Sequence, residues 1–221
     1  MARFLVLFLL LASPCFAKKQ AALYAVYLDG LCQYDKKGEY DKFLKQLNIP
    51  YKVMPAKRAE MQMLKDKTCI FPVDRKFFKK VYPLIQSKPI QIVHNVFFST
   101  SKIYKSFDEV KNLRVGIRSE INFGPKVKMG MAQNKQVNSK TLEQNIKKLL
   151  LGRTDVVLEF LEDVELYLEK NPKIKEKLVY DRTAYVEQFE DAVTCVDTPE
   201  NKLVIDKFNE TLESNIKPTS N

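Results

Sequence analysis

The stretch AVTCVDTPEN at residues 192–201 decides the fold, because it joins a late strand to the helix that closes the chain. Residues 192–196 have the composition of a short buried strand. Thr198, Pro199 and Glu200 are typical of a helix start, with a capping hydroxyl, a proline in the first turn and a negative charge at the N-terminus. We expect this strand and helix to return to the sheet in which the chain begins.

The chain up to residue 73 alternates between strand and helix patterns. Residues 22–28 (ALYAVYL), 51–54 and 69–73 (CIFPV) are predicted strands with helices between them. The first helix is expected to bury Tyr40, Phe43, Leu44 and Leu47, and the second Met61 and Leu64. Alternation of this kind predicts a parallel sheet with crossover helices.

A second unit of similar length follows. Strands are predicted at residues 89–99, 113–117, 136–138, 154–158 and 179–186, with helices at 122–131, after Thr141, and at 161–168. Two successive units, followed by a final strand and helix that return to the first sheet, predict an α/β, two-lobed clamp. Each lobe is expected to hold a mixed, mostly parallel sheet. Residues 18–93 with 190–221 form the predicted first lobe and residues 94–189 the second, with two hinge crossings between them.

The first 17 residues predict a signal peptide. Arg3 precedes an apolar run at residues 4–12, and Ala17 is the expected cleavage site. The run is too short to span a bilayer. A lipoprotein anchor at Cys15 is the alternative, but Pro14 is a poor residue before a lipidated cysteine. We therefore expect export to the periplasm.

Charge and residue usage exclude several classes of function. The chain carries a formal net charge of +10, but its lysines are dispersed, and export removes most access to nucleic acid. Its single histidine, His94, argues against a histidine-based metal site and against a Ser-His-Asp enzyme. We expect a monomer with no catalytic residues, no cofactor and no metal.

Three cysteines follow the predicted signal peptide. Because an oxidising compartment favours disulfides, Cys32 and Cys69 are the predicted pair, each near the end of a predicted strand. Cys195 is then expected to be a buried free thiol.

Four stretches carry a family resemblance. They are PAKRA at residues 55–59, FDEVKNLRVGI at 107–117, LLLGRTDVV at 149–157, and TPE at 198–200 followed by Phe208 and Asn209. In this order they resemble the amino-acid type of periplasmic solute-binding protein, the binding component of ABC importers. The resemblance implies the type II periplasmic-binding-protein fold, with a ligand cleft between two α/β lobes and a membrane permease as partner.

The chain departs from that family at both positions that hold an α-amino acid. Lys80 stands where the resemblance implies an arginine for the ligand carboxylate, and a lysine lacks the two-pronged geometry of a guanidinium. Phe160 stands where it implies an aspartate for the ammonium group, with Glu159 next to it. We therefore expect a small polar solute, either amino-acid-like or another organic anion.

Some candidate ligand-binding residues follow from the rule that ligands lie beyond the carboxyl ends of parallel strands, whereas Lys80, Glu159 and Phe160 are implied by the resemblance. Arg118 and Ser119 form a candidate anion site near the predicted start of a helix. Each candidate also has a structural alternative as a core or surface residue. The full set is Asp29, Tyr34, Arg58, Phe71, Asp74, Lys80, Phe97, Arg118, Ser119, Asn122, Glu159 and Phe160.

Two other functions fit the same scaffold. A sensing module would use the same clamp to signal through a membrane receptor. The departures from the family at the two positions that hold an α-amino acid, Lys80 and Phe160, favour this alternative. An exported enzyme is the second alternative, but the sequence offers no histidine or cysteine constellation for it.

Overall fold

The computed structural model describes residues 22–28, 30–78, 82–119 and 121–215, so the predicted signal peptide lies outside the described residues. Within them the chain forms two five-stranded sheets. The strands are β1 (Leu23–Val26), β2 (Tyr51–Met54), β3 (Cys69–Phe71), β4 (Leu84–Gln86), β5 (Gln91–Phe98), β6 (Arg114–Arg118), β7 (Lys135–Ser139), β8 (Val156–Phe160), β9 (Glu187–Asp191) and β10 (Thr194–Val196). The helices are α1 (Glu39–Gln46), α2 (Ala56–Asp66), α3 (Pro125–Gly130), α4 (Leu142–Leu150), α5 (Leu161–Lys170), α6 (Pro172–Lys175) and α7 (Pro199–Asn215).

The first lobe contains the sheet β2-β1-β3-β10-β4 with α1, α2 and α7. Strands β2, β1 and β3 are parallel, and β10 runs antiparallel to both β3 and β4. The second lobe contains the sheet β7-β6-β8-β5-β9 with α3, α4, α5 and α6. There β7, β6 and β8 are parallel, and β5 lies antiparallel between β8 and β9. Two mixed sheets flanked by helices confirm the predicted fold class.

Helix packing follows the predicted apolar spacing in α1, but not at Met61 of α2. Tyr40, Phe43, Leu44 and Leu47 are all buried, as predicted for α1. The prediction for Met61 is wrong, because 65% of its surface is exposed. Ala59 and Met63 face the sheet instead, four residues apart on one side of α2. Since each residue turns a helix by about 100°, Met61 lies on the opposite side.

The last helix returns to the opening strands, as the sequence predicts. Ile205 and Phe208 of α7 share one core cluster with Leu23 of β1. The Phe208 ring lies 5.0 Å from that of Phe43 and 5.5 Å from that of Phe71, measured between ring centroids. The first lobe is therefore closed by the C-terminal segment.

Two paired strands, β5 and β9, connect the lobes. They run antiparallel, with Gln91 opposite Asp191 and Asn95 opposite Glu187. The strand predicted at residues 179–186 is wrong: there only Val179 forms a bridge, with Ser99. Apolar content misled the prediction, because backbone pairing with β5 places the real strand in the more polar segment that follows. The predicted lobe boundaries, 93/94 and 189/190, fall within these two strands.

The disulfide joins Cys69 to Cys195, so the predicted pair of Cys32 with Cys69 is wrong. Cys69 and Cys195 are directly opposite each other in the β3–β10 ladder, with Cα atoms 4.0 Å apart. The return of the chain to the first lobe creates this contact between distant residues. Cys32 is the buried free thiol, and burial raises its pKa above the ordinary value.

Candidate functional site

A cleft of about 240 Å³ opens between the two lobes. Its wall in the first lobe comes from the end of β1, the first turns of α2 and the segment that follows β3. Its wall in the second lobe comes from the loop after β6 and the end of β8, and the crossing strands complete it. The lining residues are Val26, Leu28, Ala56, Lys57, Glu60, Ile70, Pro72, Val73, Asp74, Phe77, Phe78, Val93, Ser119, Ile121, Asn122, Phe160, Phe189 and Asp191.

Most of the cleft surface is apolar, and four phenylalanines contribute to it. Phe77 and Phe189 pack against each other with ring centroids 4.4 Å apart, one from the first lobe and one from a crossing strand. Phe160 packs against Phe123 at 5.2 Å in the second lobe. Phe78 is the fourth aromatic side chain in the lining. Such surfaces favour a ligand with an apolar body, while a few polar groups determine its orientation.

Asp191 is a carboxylate at the hinge side of the cleft. Its Oδ2 atom accepts hydrogen bonds from Tyr40 Oη at 2.5 Å and from Gln91 Nε2 at 3.2 Å. Burial raises the pKa of Asp191 to about 6; the two hydrogen bonds oppose that shift, and the charges of Asp163 and Glu162 add to it. Burial and Asp191 together raise the pKa of Tyr40, so this hydroxyl stays a donor.

Asp74 holds the first lobe against the return strand. One of its oxygens accepts from the backbone N–H of Lys76 at 2.8 Å, and the other from the backbone N–H of Glu190 at 3.1 Å. Lys76 Nζ lies 3.3 Å from the second oxygen. The side chain is almost fully buried, so its main role is to position the hinge strand beside the cleft.

Arg118 lies behind the wall of the second lobe. Its Nε donates to Glu159 and its Nη2 to Asp163, each at 2.7 Å. Asn145 Nδ2 donates to the other oxygen of Glu159, also at 2.7 Å. Burial raises the pKa of Glu159, while Arg118 lowers it; burial lowers the pKa of Arg118, but the two carboxylates raise it above its ordinary value. This guanidinium is thus engaged by protein carboxylates and does not offer a free anion site.

Four predicted site residues come together in the cleft: Asp74, Ser119, Asn122 and Phe160. Ser119 and Asn122 are exposed at the mouth of the second lobe. The N–H of Ser119 donates to the carbonyl of Ser139, and Asn122 Oδ1 accepts from the N–H of Gly124. These bonds order the loop after β6 and leave side-chain surface open to the cleft.

The structure places six other predicted residues outside the lining. Phe71 and Phe97 are fully buried in the cores of the two lobes, because their strand positions point away from the cleft. Tyr34 is 61% exposed and stacks on Tyr27. Arg58 is exposed on α2. Arg118 and Glu159 bond each other behind the wall, while Asp29 and Lys80 lie outside the described residues.

The sequence-based prediction missed most of the apolar lining. Phe189 and Asp191 were missed because their segment was not recognised as a strand. The signal was available, since a second crossing must place some of its residues at the cleft. Lys57 and Glu60, three residues apart on α2, were missed in favour of Arg58, because the phase of the helix was misjudged.

Two further features are absent from the described residues. No group of three or more histidine, cysteine or acidic side chains there is arranged to hold a metal ion. None of the helices in that part of the chain combines the length and apolar character needed to cross a bilayer.

Solved structures share this architecture. The GluR0 ligand-binding core in complex with L-glutamate matches with a TM-score of 0.69 and 13% identity, covering 90% of this chain and 96% of that one. AbpA of Streptococcus pneumoniae, an amino acid ABC transporter substrate-binding protein bound to L-arginine, matches at 0.64 and 14%, covering 87% of each. The arginine-, lysine-, histidine-binding protein ArtJ of Geobacillus stearothermophilus matches at 0.63 and 15%, covering 90% of each.

At these identities the likeness establishes the fold. The chain has a two-lobed α/β binding-protein fold, and more particularly the fold of substrate-binding proteins of amino acid ABC transporters. The predicted resemblance is confirmed at that level. Neither a family model nor the sequence of a curated protein matches the chain.

Proposed function

We propose that this protein is an extracytoplasmic solute-binding protein that captures a small solute between its lobes for an ABC importer. The observation that carries the proposal is the cleft itself, which is lined by both lobes and by the two strands that connect them. A solute that contacts both walls stabilises the closed arrangement of the lobes, and a membrane permease recognises that form. The fold shared with substrate-binding proteins supports this function.

A thermal-shift screen of several hundred metabolites tests the capture of a solute. A ligand present at 100 times its dissociation constant adds about 2.7 kcal/mol to the free energy of unfolding, which is readily visible. Ser119→Trp places a bulky ring at the mouth of the cleft and should abolish the shift. Ser101→Trp, at another exposed serine of the same lobe, should leave it unchanged. A screen without any hit, or equal shifts in both variants, contradicts the proposal.

Export and the membrane partner need separate tests. We propose cleavage after Ala17, so N-terminal sequencing of protein from the periplasm should begin at Lys18. A permease and an ATPase encoded beside the gene support import. An adjacent sensor kinase instead supports the sensing alternative. Turnover of a bound solute would contradict our proposal that the protein is not an enzyme.

A further inference from the structure

We propose that the cleft selects an organic cation with an apolar or aromatic body and no carboxylate, held by Asp191 and the phenylalanine rings. This inference rests on the proposed function of solute capture. It differs from the sequence-based expectation of an amino-acid-like solute or an organic anion. It stands on three features of the site, which are an open carboxylate oxygen, the lack of an ion-pairing cation for it among the described residues, and the aromatic lining.

The first feature is the asymmetric bonding of Asp191. Both of its donors, Tyr40 Oη and Gln91 Nε2, bond the same oxygen, Oδ2. Across the residues that the structure describes, Oδ1 receives no hydrogen bond, while Asp191 forms part of the cleft lining. The side chain is thus held in place from one side and has acceptor capacity left for a ligand. An ammonium group is the strongest donor for such an oxygen.

The second feature is the charge around Asp191. Among the described residues no lysine, arginine or histidine forms an ion pair with it. The charged groups of the second lobe that act on Asp191 are Asp163 and Glu162, which are both acids. Their own partners do not neutralise Asp191, because Arg118 is shared between Asp163 and Glu159, and His94 bonds Glu162. A cationic ligand supplies the missing charge, whereas a carboxylate placed here meets repulsion.

The third feature is the aromatic surface. Phe77, Phe78, Phe160 and Phe189 bring rings from both lobes and from a crossing strand to one cavity. The face of an aromatic ring attracts an organic cation, most effectively where water is excluded. Aromatic rings beside a carboxylate therefore favour an organic ammonium ion with an apolar body over a strongly hydrated inorganic cation.

The opposite wall offers a weaker positive potential. Lys57 lines the cleft on the first turns of α2, but its side chain is exposed and its charge is screened by water and salt. Glu60, one turn further along the same helix, carries the opposite charge. Asp191 is only partly exposed, in a region of lower effective dielectric, where the same charge acts several times more strongly. The carboxylate therefore determines which charge the ligand carries.

Three compounds that share a phenyl ring and differ in charge test whether the cleft prefers a cation. Phenethylamine is a cation, L-phenylalanine a zwitterion and 3-phenylpropionate an anion at pH 7.5, and calorimetry measures their binding to the full mature chain. We expect phenethylamine to bind more tightly than either of the others by roughly 10-fold or more. Asp191→Asn keeps an oxygen for Tyr40 and should weaken phenethylamine by roughly 10- to 100-fold. Glu190→Gln, the neighbouring carboxylate outside the lining, is the matched control and should have no effect.

A panel of metabolites sorted by charge separates the two proposals. Tightest binding by amines without a carboxylate supports the cation site, provided that Asp191→Asn weakens it. Tightest binding by zwitterions or anions overturns the cation site. Cation binding that is unchanged in Asp191→Asn overturns it as well. Both outcomes leave the proposal of solute capture standing. If no compound of any charge binds, both proposals fail.

Discussion

Arg118 shows what a buried guanidinium needs to remain inside a protein. Its side chain is 9% exposed and touches two carboxylates, one of them on the fully buried Glu159. Burial of both charges is costly, and their direct contact offsets that cost only while both partners are present. Sequence position alone suggested a free ligand contact, since a strand end and a helix entrance lie beside it. Glu159 and Asp163 follow much later in the chain, and only the fold brings them to Arg118.

Removal of this guanidinium should destabilise the protein strongly. Arg118→Met leaves Glu159 buried without a counter-charge, so we expect a loss of about 3–5 kcal/mol, measured by urea unfolding. Arg114→Met removes a more exposed arginine, paired with Asp155, and should cost much less. The double variant Arg118→Met with Glu159→Gln should recover part of the loss. Equal losses in the single and double variants would show that the ion pair is not the cause.

Asp191 makes stability depend on pH in an unusual direction. Its pKa is about 6 in the folded protein against an ordinary 3.8, so between those values the folded state retains a proton that the unfolded state has released. The free energy of unfolding therefore falls as pH rises through this window, by roughly 2–3 kcal/mol from this group. Tyr40, Asp163 and Glu162 are the titratable groups that face it.

The comparison with Asp191→Asn isolates that contribution from other carboxylates. We expect the variant to gain stability relative to the natural protein between pH 4 and pH 7. Urea unfolding of both proteins at each pH unit measures the difference. A constant difference across the range would contradict the raised pKa.

At the scale of elements, the loop before α3 packs closely on the crossing strand β9. Gly124 has a φ of +94°, and an added Cβ would lie 2.2 Å from Cζ of Phe189. Gly152, at the end of α4, has a φ of +65° but no atom within 4 Å of the same added carbon. Both glycines have a positive φ, but Gly124 combines it with a ψ of 168°, a conformation open essentially only to glycine, and it is also crowded by Phe189.

Alanine at Gly152 therefore measures backbone strain alone, whereas alanine at Gly124 adds crowding and a more restricted backbone. Gly152→Ala should cost about 1–2 kcal/mol from the left-handed backbone alone. Gly124→Ala should cost about 1–3 kcal/mol more, because its backbone conformation is open essentially only to glycine and because Phe189 must move. Since that ring lines the cleft, this variant alone should also weaken the binding of any ligand found in the screen. Equal stabilities, or unchanged ligand binding by Gly124→Ala, would contradict the close packing.

The disulfide links two elements that are distant in the chain. Cys69 in β3 and Cys195 in β10 are separated by 126 residues, a segment that includes the whole second lobe. The bond therefore ties the return strand to the opening sheet, and replacement of both cysteines by alanine should cost about 2–5 kcal/mol. Thiol titration of the mature protein counts the free thiols, and peptide mapping of the unreduced protein should join the peptides that contain Cys69 and Cys195. We expect no reactive thiol in the native protein, one after unfolding in urea, and three after reduction. Three thiols reactive in urea before reduction, or a mapped link between Cys32 and Cys69, would contradict it.

At the scale of the whole molecule, both lobes should respond to one ligand. Amide hydrogen exchange should slow in residues 70–78 of the first lobe and 119–124 of the second when a solute binds. The backs of the lobes, such as α7 and α4, should change little, because they pack within their own lobes and contribute no residue to the cleft lining. Protection confined to one lobe would show that the solute does not bridge the cleft.

The sequence by itself determined the alternation of strands and helices, the two successive units and the returning C-terminal helix. These features depend on local spacing, capping and turn residues, so they can be read within short windows. It also placed Asp74, Ser119 and Asn122 at strand ends, where chain direction predicts a cleft, and the family resemblance added Phe160.

Only the tertiary structure decided which residues contact each other across the chain. Cys195 rather than Cys32 meets Cys69, Arg118 is held by Glu159 and Asp163, and Asp191 rather than a predicted residue faces the cleft from the hinge. Each of these outcomes joins residues separated by dozens of positions. They depend on which strands lie side by side and which side of a strand faces inward. Burial and charge pairing act on that three-dimensional neighbourhood, which local sequence patterns do not contain.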